Sequence, residues 1–437
     1  MIRIYRIILI LAIFAPLNGF GQEYWLKQTS PTNQRLSNLS FIDSLSGWAA
    51  GDSGVIIHTT NGGQNWIQQE TGLDDKLWGI FFIDNNTGWA TGFRFTKSGY
   101  FPIMLKTTNS GDNWNSYLYQ DTNQFYYAIH FINNMTGWAG GDNGKIIKTT
   151  NGGDNWFNTF PDSTIFSGFP VFEISFYSDN FGFAIGGAND ISGVVWKSTN
   201  GGMNWSVTGG SVLGSEPYFG IVYFDSLNIQ SVGGDFDFGS SIIRTTNGGL
   251  NWEYEVLGIF GFASALSYRT RAEGWSPLGF ERKFMYTLDS GDTWQTISTP
   301  DSLEIYDVVF TDPRNGFAVG EKGTVLKYNS ELINITNISS EIPGLFSLYQ
   351  NYPNPFNPAT TIRYDMKRPG EVKLRIFNML GKEIKIADQG FKPAGSYAVN
   401  LDLSDFTSGV YYYNLQVSDP ASGGNIHSET KKFVLIK

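Results

Sequence analysis

Apolar and polar residues alternate along this chain in short runs, and Gly, Asn, Asp or Ser separates each run from the next. Alternation with period two puts successive side chains on opposite faces of a strand. Residues 77–119 show the arrangement once: LWGIFFID, GWATGFR, IMLKTTN and NWNSYLY read as four successive strands, the first of them innermost. The pattern returns every roughly 45 residues, the length of a four-stranded propeller blade. In each innermost strand one apolar position is filled by Leu39, Ile80, Ile129, Ile174, Val222, Leu266 and Val308. Two residues later stand Phe41, Phe82, Phe131, Phe176, Phe224, Tyr268 and Phe310. These two positions predict one buried face, packed between neighbouring blades.

Two markers pin the repeat. The first reads GWAAG at Gly47, GWATG at Gly88 and GWAGG at Gly137, with variants at Gly182, Gly274 and Gly316 and a degenerate copy, IQSVGG, at 229–234. The second is TTNGGQNW at 59–66, whose Trp recurs at Trp114, Trp156, Trp205, Trp252 and Trp294, spaced 48, 42, 49, 47 and 42 residues apart. The first marker thus occurs seven times and the second, a box, only six. Each box is followed by a polar-alternating strand, and YWLKQTSP at 24–31 has that form with no box before it. Conversely, the last unit, GFAVGEKGTVLKYNS, stops where its box and Trp strand would follow. Trp25 supplies the strand that the last unit lacks, which closes a ring. The expectation is an all-β chain with a seven-bladed β-propeller over 22–330, its last blade completed by residues 24–30.

Within the box, Asn61 can accept backbone N–H groups, Gly63 tolerates positive φ, and Trp66 can pack beneath the loop. The corresponding residues are Asn109, Gly111 and Trp114; Asn151, Gly153 and Trp156; Asn200, Gly202 and Trp205; Asn247, Gly249 and Trp252; and Asp289, Gly291 and Trp294. This box resembles the Asp-box of bacterial neuraminidase (BNR) repeats, sortilin-type receptors and photosystem II assembly-factor-like propellers. The resemblance implies a structural turn at the blade periphery, away from any ligand. Near-identical copies spread around a ring cannot form one site.

A ligand face is therefore sought elsewhere. Blades one, three and seven join their second and third strands by the tight turns GDSG, GDNG and GEKG. Blades two, four, five and six carry FRFTKSGYFP, ANDISG, DFDFGS and GFERKF instead. Insertions in repeat proteins map to one face, often the binding face. These loops hold the candidate ligand-binding residues Phe93, Arg94, Phe95, Tyr100, Phe236, Phe238, Phe280 and Arg282. The links between blades add Tyr119, Phe125, Tyr126, Phe166 and Phe169. Aromatics with Arg mark recognition surfaces; packing of loop aromatics on blade edges is the alternative.

Composition removes several function classes. Asp and Glu number 40 against 30 Lys and Arg, giving a net charge of −10. No cluster of basic residues suits a polyanion, so nucleic acid is not an expected partner. The chain has no Cys, which excludes disulfides and thiol chemistry. His58, His130 and His427 lack ligand spacing, so no metal and no cofactor are expected. No Gly-x-Ser-x-Gly elbow occurs, nor the Arg-Ile-Pro that introduces the sialidase arginines. Arg269, Arg271 and Arg282 fall in a single blade, and Asp52, Asp142 and Glu321 sit in Gly-flanked hairpins that turn chemistry explains. No catalytic residue is assigned. The expected function is a non-catalytic binding or scaffolding module for glycan or protein; the alternatives are a polysaccharide-acting hydrolase or lyase and a structural adhesin.

The first residues, with Arg3 and Arg6 before an apolar core from Ile7 to Ala15 and then Gly19 and Gly21, read as a secretory signal peptide over 1–21. No later apolar run is long enough to span a bilayer. Residues 331–344 read as a polar linker, and 345–437 as a small immunoglobulin-like β-sandwich. This last segment carries Gln350-Asn351-Tyr352-Pro353-Asn354-Pro355-Phe356-Asn357-Pro358, Leu380-Gly381, Ala394-Gly395-x-Tyr397 and Ser408-Gly409-x-Tyr411, and ends in a Lys-rich strand. It resembles the type A C-terminal sorting domain of type IX secretion. The resemblance implies a Bacteroidetes-type bacterium, Sec export, the type IX machinery as partner, and cargo that is secreted or held on the outer cell surface.

Overall fold

The computed structural model describes residues 24–119, 123–162, 164–209, 213–329, 335–339, 346–419 and 424–437. The signal peptide expected over 1–21 lies outside the described residues. The strands form nine sheets, seven of them drawn from residues 25–328. Each of these seven is built on antiparallel neighbouring strands; blade two runs Lys76–Phe82, Gly88–Thr96, Gly99–Thr107 and Asn115–Leu118. First strands of successive sheets pack side by side around a central channel, and that of the seventh, Ile305–Asp312, meets that of the first, Leu36–Phe41. Trp25–Gln28 pairs with Val325–Tyr328 and completes the seventh sheet. Blade four gains a fifth strand, Phe160–Pro161, parallel to Asn204–Thr208, where sequence suggested only a link.

The two sequence markers meet in one joint between blades. The Phe82 ring lies flat on Trp48 of the preceding blade, centroids 3.5 Å apart, and edge-on to its own box Trp114. Phe131 repeats this with Trp89 and Trp156, and Phe176 with Trp138 and Trp205. Across the closure Phe41 stacks on Phe317 at 4.0 Å and meets Trp66 edge-on. Glycine opens the second strand because the ring lies over it: a Cβ at Gly47 would stand 2.3 Å from the Phe41 ring. Within the box, the Gly63 N–H donates to Thr59 Oγ1 at 3.0 Å and the Asn65 N–H to Asn61 Oδ1 at 2.9 Å. Lys148, Lys197 and Lys327 reach from one blade to the box carbonyls of Gly201, Gly248 and Gly62 in the next, each at 2.7 Å. The joint that closes the ring is thus built like those of blades two, three and four.

One register differs from the sequence reading. In blade five Tyr223 lies opposite Ile229 and Ile221 opposite Ser231, so Ile221 and Tyr223 take the joint positions assigned to Val222 and Phe224. A shift of one residue exchanges the faces of a strand. Blade five lacks the Gly-Trp pair that anchors the register elsewhere, and Ile229 stands in the place of its glycine.

Two four-stranded sheets make up the C-terminal unit. One contains Ile335–Ser339, Gly395–Asp402, Ala359–Met366 and Ser347–Leu348; the other Glu383–Lys392, Gly370–Asn378, Gly409–Ser418 and Asn425–Leu435. Inward residues of both sheets, such as Ile362, Tyr364, Leu374 and Leu415, share one core. Residues 335–339, read as linker, instead pair with the 395–402 strand. Their Ile and Thr favour extended backbone, while the intervening Asn and Ser suggested a loop; 331–334 and 340–344 lie outside the described residues. The Pro-Asn-Pro-Phe run is tied down by Asn351 Nδ2, which donates to the Pro353 carbonyl at 2.9 Å, and by the Val434 N–H, which donates to Asn354 Oδ1 at 2.9 Å. Both Gly-x-Tyr motifs make one brace: the Tyr397 and Tyr411 hydroxyls donate to carbonyls four residues back, Pro393 at 2.8 Å and Thr407 at 2.7 Å.

Trp25 is 2% exposed and packs on Phe284, Trp275 and Tyr328. Trp25→Ala is expected to cost about 3–5 kcal/mol in denaturant unfolding of the propeller. Leu26→Ala, on the open side of the same strand, should leave the midpoint nearly unchanged. Equal effects from the two would contradict closure through Trp25.

Candidate functional site

Six first strands share an irregularity close to their start. In blades one to five and seven, an extra residue interrupts the pairing with the second strand: Ser37, Trp78, Tyr127, Phe172, Phe219 and Tyr306. A bulge turns its residue out of the alternation. Here it turns five aromatic side chains toward the channel, where all six residues line a cavity of about 730 Å³. Blade six contributes Phe262 and Ser264 to the same lining.

The rings form a continuous crescent. Trp78 and Tyr127 lie 5.3 Å apart, Tyr127 and Phe172 5.3 Å, Phe172 and Phe219 4.8 Å, and Phe219 and Phe262 5.6 Å. At one end Phe236 and Phe280 stack at 4.9 Å and contact Phe262; both line the cavity, so the hairpins of blades five and six open onto this mouth. At the other end Phe93 contacts Trp78, Phe95 and Phe125, and Tyr100 stacks on Phe125 at 4.2 Å. Phe95 projects from the blade-two hairpin with 71% exposure.

The remaining candidates lie apart. Phe238 is outside the cavity lining. Arg94 does not present a free guanidinium, because Nη2 and Nε bind both Asp75 oxygens at 2.6–3.1 Å. Arg282 sits in left-handed backbone with φ 55°, its Nη2 4.0 Å from Glu304. Phe166 and Phe169 pack into the blade three–four core.

Sequence reasoning missed Trp78, Tyr127, Phe172, Phe219, Phe262 and Tyr306. Five of these hold one place in the repeat, four residues before Phe82, Phe131, Phe176, Tyr223 and Phe310. Strict alternation assigns that place to the joint between blades, and the bulge reverses it.

The neighbours of the crescent hold it in place. The Tyr127 hydroxyl donates to Asp142 at 2.7 Å, Lys76 lies 4.6 Å over Trp78, Arg35 lies 3.8 Å over Tyr306, and the Tyr306 hydroxyl donates to Glu304 at 2.6 Å. Deeper in the channel, polar side chains bridge blades through backbone N–H groups. Leu39 N–H donates to Asp307 at 2.7 Å, Ile80 N–H to Asn38 at 2.9 Å, and Ile221 N–H to Glu173 at 3.0 Å. Asp307 also accepts from Asn38 Nδ2 and the Val308 N–H, both at 2.8 Å. Burial pushes the Glu173 carboxyl up to about 8, with the Asp307 charge adding to the effect. Burial likewise raises Asp307 to about 7 against its hydrogen bonds, and lowers His130, also in the channel, to about 4. Among the described residues no group of three or more His, Asp or Glu could hold a metal ion, and no helix is long and apolar enough to cross a membrane.

Comparison with known proteins separates two parts. Residues 350–435 match the secretion system C-terminal sorting domain, and residues 18–120 match the photosynthesis system II assembly factor YCF48. The photosystem II assembly lipoprotein Ycf48 of a Synechocystis strain is 36% identical over 66 residues, 15% of this chain; the match spans 19% of that protein. The solved structure of YCF48 bound to D1 peptide aligns with a TM-score of 0.56 at 23% identity, covering 70% of this chain and 97% of the other. YCF48 from Cyanidioschyzon merolae gives 0.55 at 18% identity, covering 70% and 99%. An ancestral GH74 enzyme gives 0.53 at 14% identity, covering 92% and 61%. These structural likenesses concern the fold.

Both channel carboxyls titrate higher in the fold than in an unfolded chain, so the folded state binds more protons between about pH 4 and 8. Their contribution is complete below the unfolded carboxyl range and is lost as pH rises through 7 to 8. Melting temperature should therefore fall from pH 5 to pH 9, with a shallower fall in Glu173→Gln; identical slopes would contradict a raised Glu173 carboxyl. Removal of residues 346–437 should leave the protein in the periplasm, as read by cell fractionation, whereas undisturbed export would refute a sorting role. The C-terminal domain directs secretion to the exterior or cell surface, and the chain is a BNR/YCF48-like β-propeller fused to a type IX secretion C-terminal sorting domain.

Proposed function

We propose that residues 22–330 form a non-catalytic binding module, displayed or released outside the cell, whose ligand is a glycan lying across the aromatic crescent. The continuous run of rings from Trp78 through Tyr127, Phe172 and Phe219 to Phe262 supports this reading. Flat apolar faces suit the C–H faces of a pyranose, and Asn38, Ser175 and Ser267 in the lining offer partners for its hydroxyls. Residues 1–21 are taken as the cleaved leader, and Phe93, Phe95, Tyr100, Phe236 and Phe280 as extensions of the binding surface at the two ends of the crescent.

A hydrolase is the second reading, because a carboxyl near 8 is protonated at neutral pH, as a general acid requires. Its partner would be Asp307. That carboxylate already accepts three hydrogen bonds, spread over both oxygens, which leaves it poorly placed to act as base or nucleophile.

The test is a glycan array with the purified protein, every positive glycan being examined for cleavage. Trp78→Ala with Phe219→Ala should weaken binding at least about tenfold, at about 1 kcal/mol or more per stacked ring, without lowering the melting temperature in proportion. Phe95→Ala, Phe236→Ala and Phe280→Ala together should weaken it less. Cleavage products would favour the hydrolase, and undiminished capture by the Trp78/Phe219 variant would remove the crescent as the site.

A further inference from the structure

We propose that Glu173 reads a positive charge on the ligand, so that the channel selects an ammonium-bearing sugar over its neutral N-acetyl counterpart. This rests on the reading of the crescent as a glycan site and names the class of glycan.

The argument begins from a position in the repeat. The residue after each bulge is Asn38, Gly79, Ala128, Glu173, Gly220 and Asp307 in the six bulged strands, and Ala265 holds the place in blade six. Side chains there accept an N–H from the next blade, but Gly and Ala at four of the seven positions show that the ring closes without one. Where an acceptor is present, a neutral amide suffices, as Asn38 demonstrates with the Ile80 N–H at 2.9 Å. A charge at Glu173 is therefore not required by the joint.

Nor does a cationic side chain pair with the Glu173 carboxyl. Its Oε2 accepts the Ile221 N–H, whereas Oε1 has no donor and no Lys or Arg pairs with the carboxylate among the described residues. The nearby charge that acts on it is Asp307, of the same sign, and His130 in the same lining is held neutral. The lining's one cationic side chain, Arg35, is engaged over the Tyr306 ring. Glu173 is half-buried and lines the cavity, so its free Oε1 is open to a ligand, and an arriving positive group favours the ionised form of the carboxyl. Phe172 and Phe219 belong to the crescent and line the same cavity, and aromatic faces attract cations. An ammonium on a sugar stacked there would meet both. Because Glu173 is protonated before the ligand arrives, pairing transfers its proton to the solvent as the ammonium–carboxylate contact forms.

The probes are the glucosamine hexamer and the N-acetylglucosamine hexamer, titrated calorimetrically at pH 6 into the purified protein and into Glu173→Gln. Gln keeps the acceptor for the Ile221 N–H, so the variant should fold; its melting temperature is the control. The expected result is tighter binding of the amino form by wild type, a loss of about tenfold or more in the variant, and a smaller change for the neutral oligomer. Binding heat should also vary with the ionisation enthalpy of the buffer, showing release of about one proton per sugar chain bound. Three outcomes would overturn the proposal. Wild type and variant that both hold the neutral oligomer as tightly as the amino form would overturn the charge selection while the crescent stays as the site. Oligolysine held as tightly as the amino sugar, and lost in the variant, would overturn the sugar class in favour of a protein partner. Failure of wild type to hold either hexamer would overturn the glycan reading together with the proposal.

Discussion

The propeller depends on the joints between its blades, and at four of the seven an aromatic ring from a first strand lies flat against the second strand of the blade before it. Phe41 on Phe317 and Phe82 on Trp48 are the same contact at different joints. A propeller blade cannot bury its faces alone, and neighbours must supply the core on both sides. The ring therefore has to close, and the chain does so by spending its first described strand on its last blade. With the joint absorbing the wide apolar faces, the first strands face one another across a channel, and what lines that channel is set by the few residues that leave the alternation.

This explains which parts were legible in the sequence. The joint recurs with strict spacing, so the Gly-Trp markers and boxes revealed blade number, strand order and closure through Trp25. Blade five, where Ile229 replaces the marker glycine, pairs one residue away from the register that spacing predicts. The channel was hidden for a different reason. Each bulge inserts one residue into a ladder and reverses the face on which Trp78, Tyr127, Phe172, Phe219 and Tyr306 emerge, so alternation assigned them to the joint. Trp78 and Trp196 are the two tryptophans outside the marker, box and closure positions; the first lies at the channel and the second in the blade three–four core. Composition alone does not separate those fates. Strand 335–339 is not legible locally because its partner lies some sixty residues away, at 395–402.

The two ends of the channel carry different obligations. On the box side, loop carbonyls are occupied by lysines from the neighbouring blade and box hydroxyls by their own backbone, so that side is committed to holding the ring. On the mouth side, Phe95 and the stacked pair of Phe236 and Phe280 extend from hairpins whose length the joint does not constrain. Loops of that kind can change without disturbing the fold. Sequence can vary there while the joint stays fixed.

The same separation holds along the chain. The sorting domain has its own core and its own braces at Tyr397 and Tyr411, and it draws no residue from the repeat that builds the blades. Its export role therefore places no demand on the propeller's channel. Nor does the joint require a charge there, since Asn38 bridges two blades as a neutral amide. Sequences agree with their fold at every level except where function or strain intervenes. Glu173 is such an exception: an acidic side chain beside another, in a position where the ring tolerates glycine. The joint made at Glu173 asks only for an acceptor for the Ile221 N–H, so the architecture does not dictate an acid there.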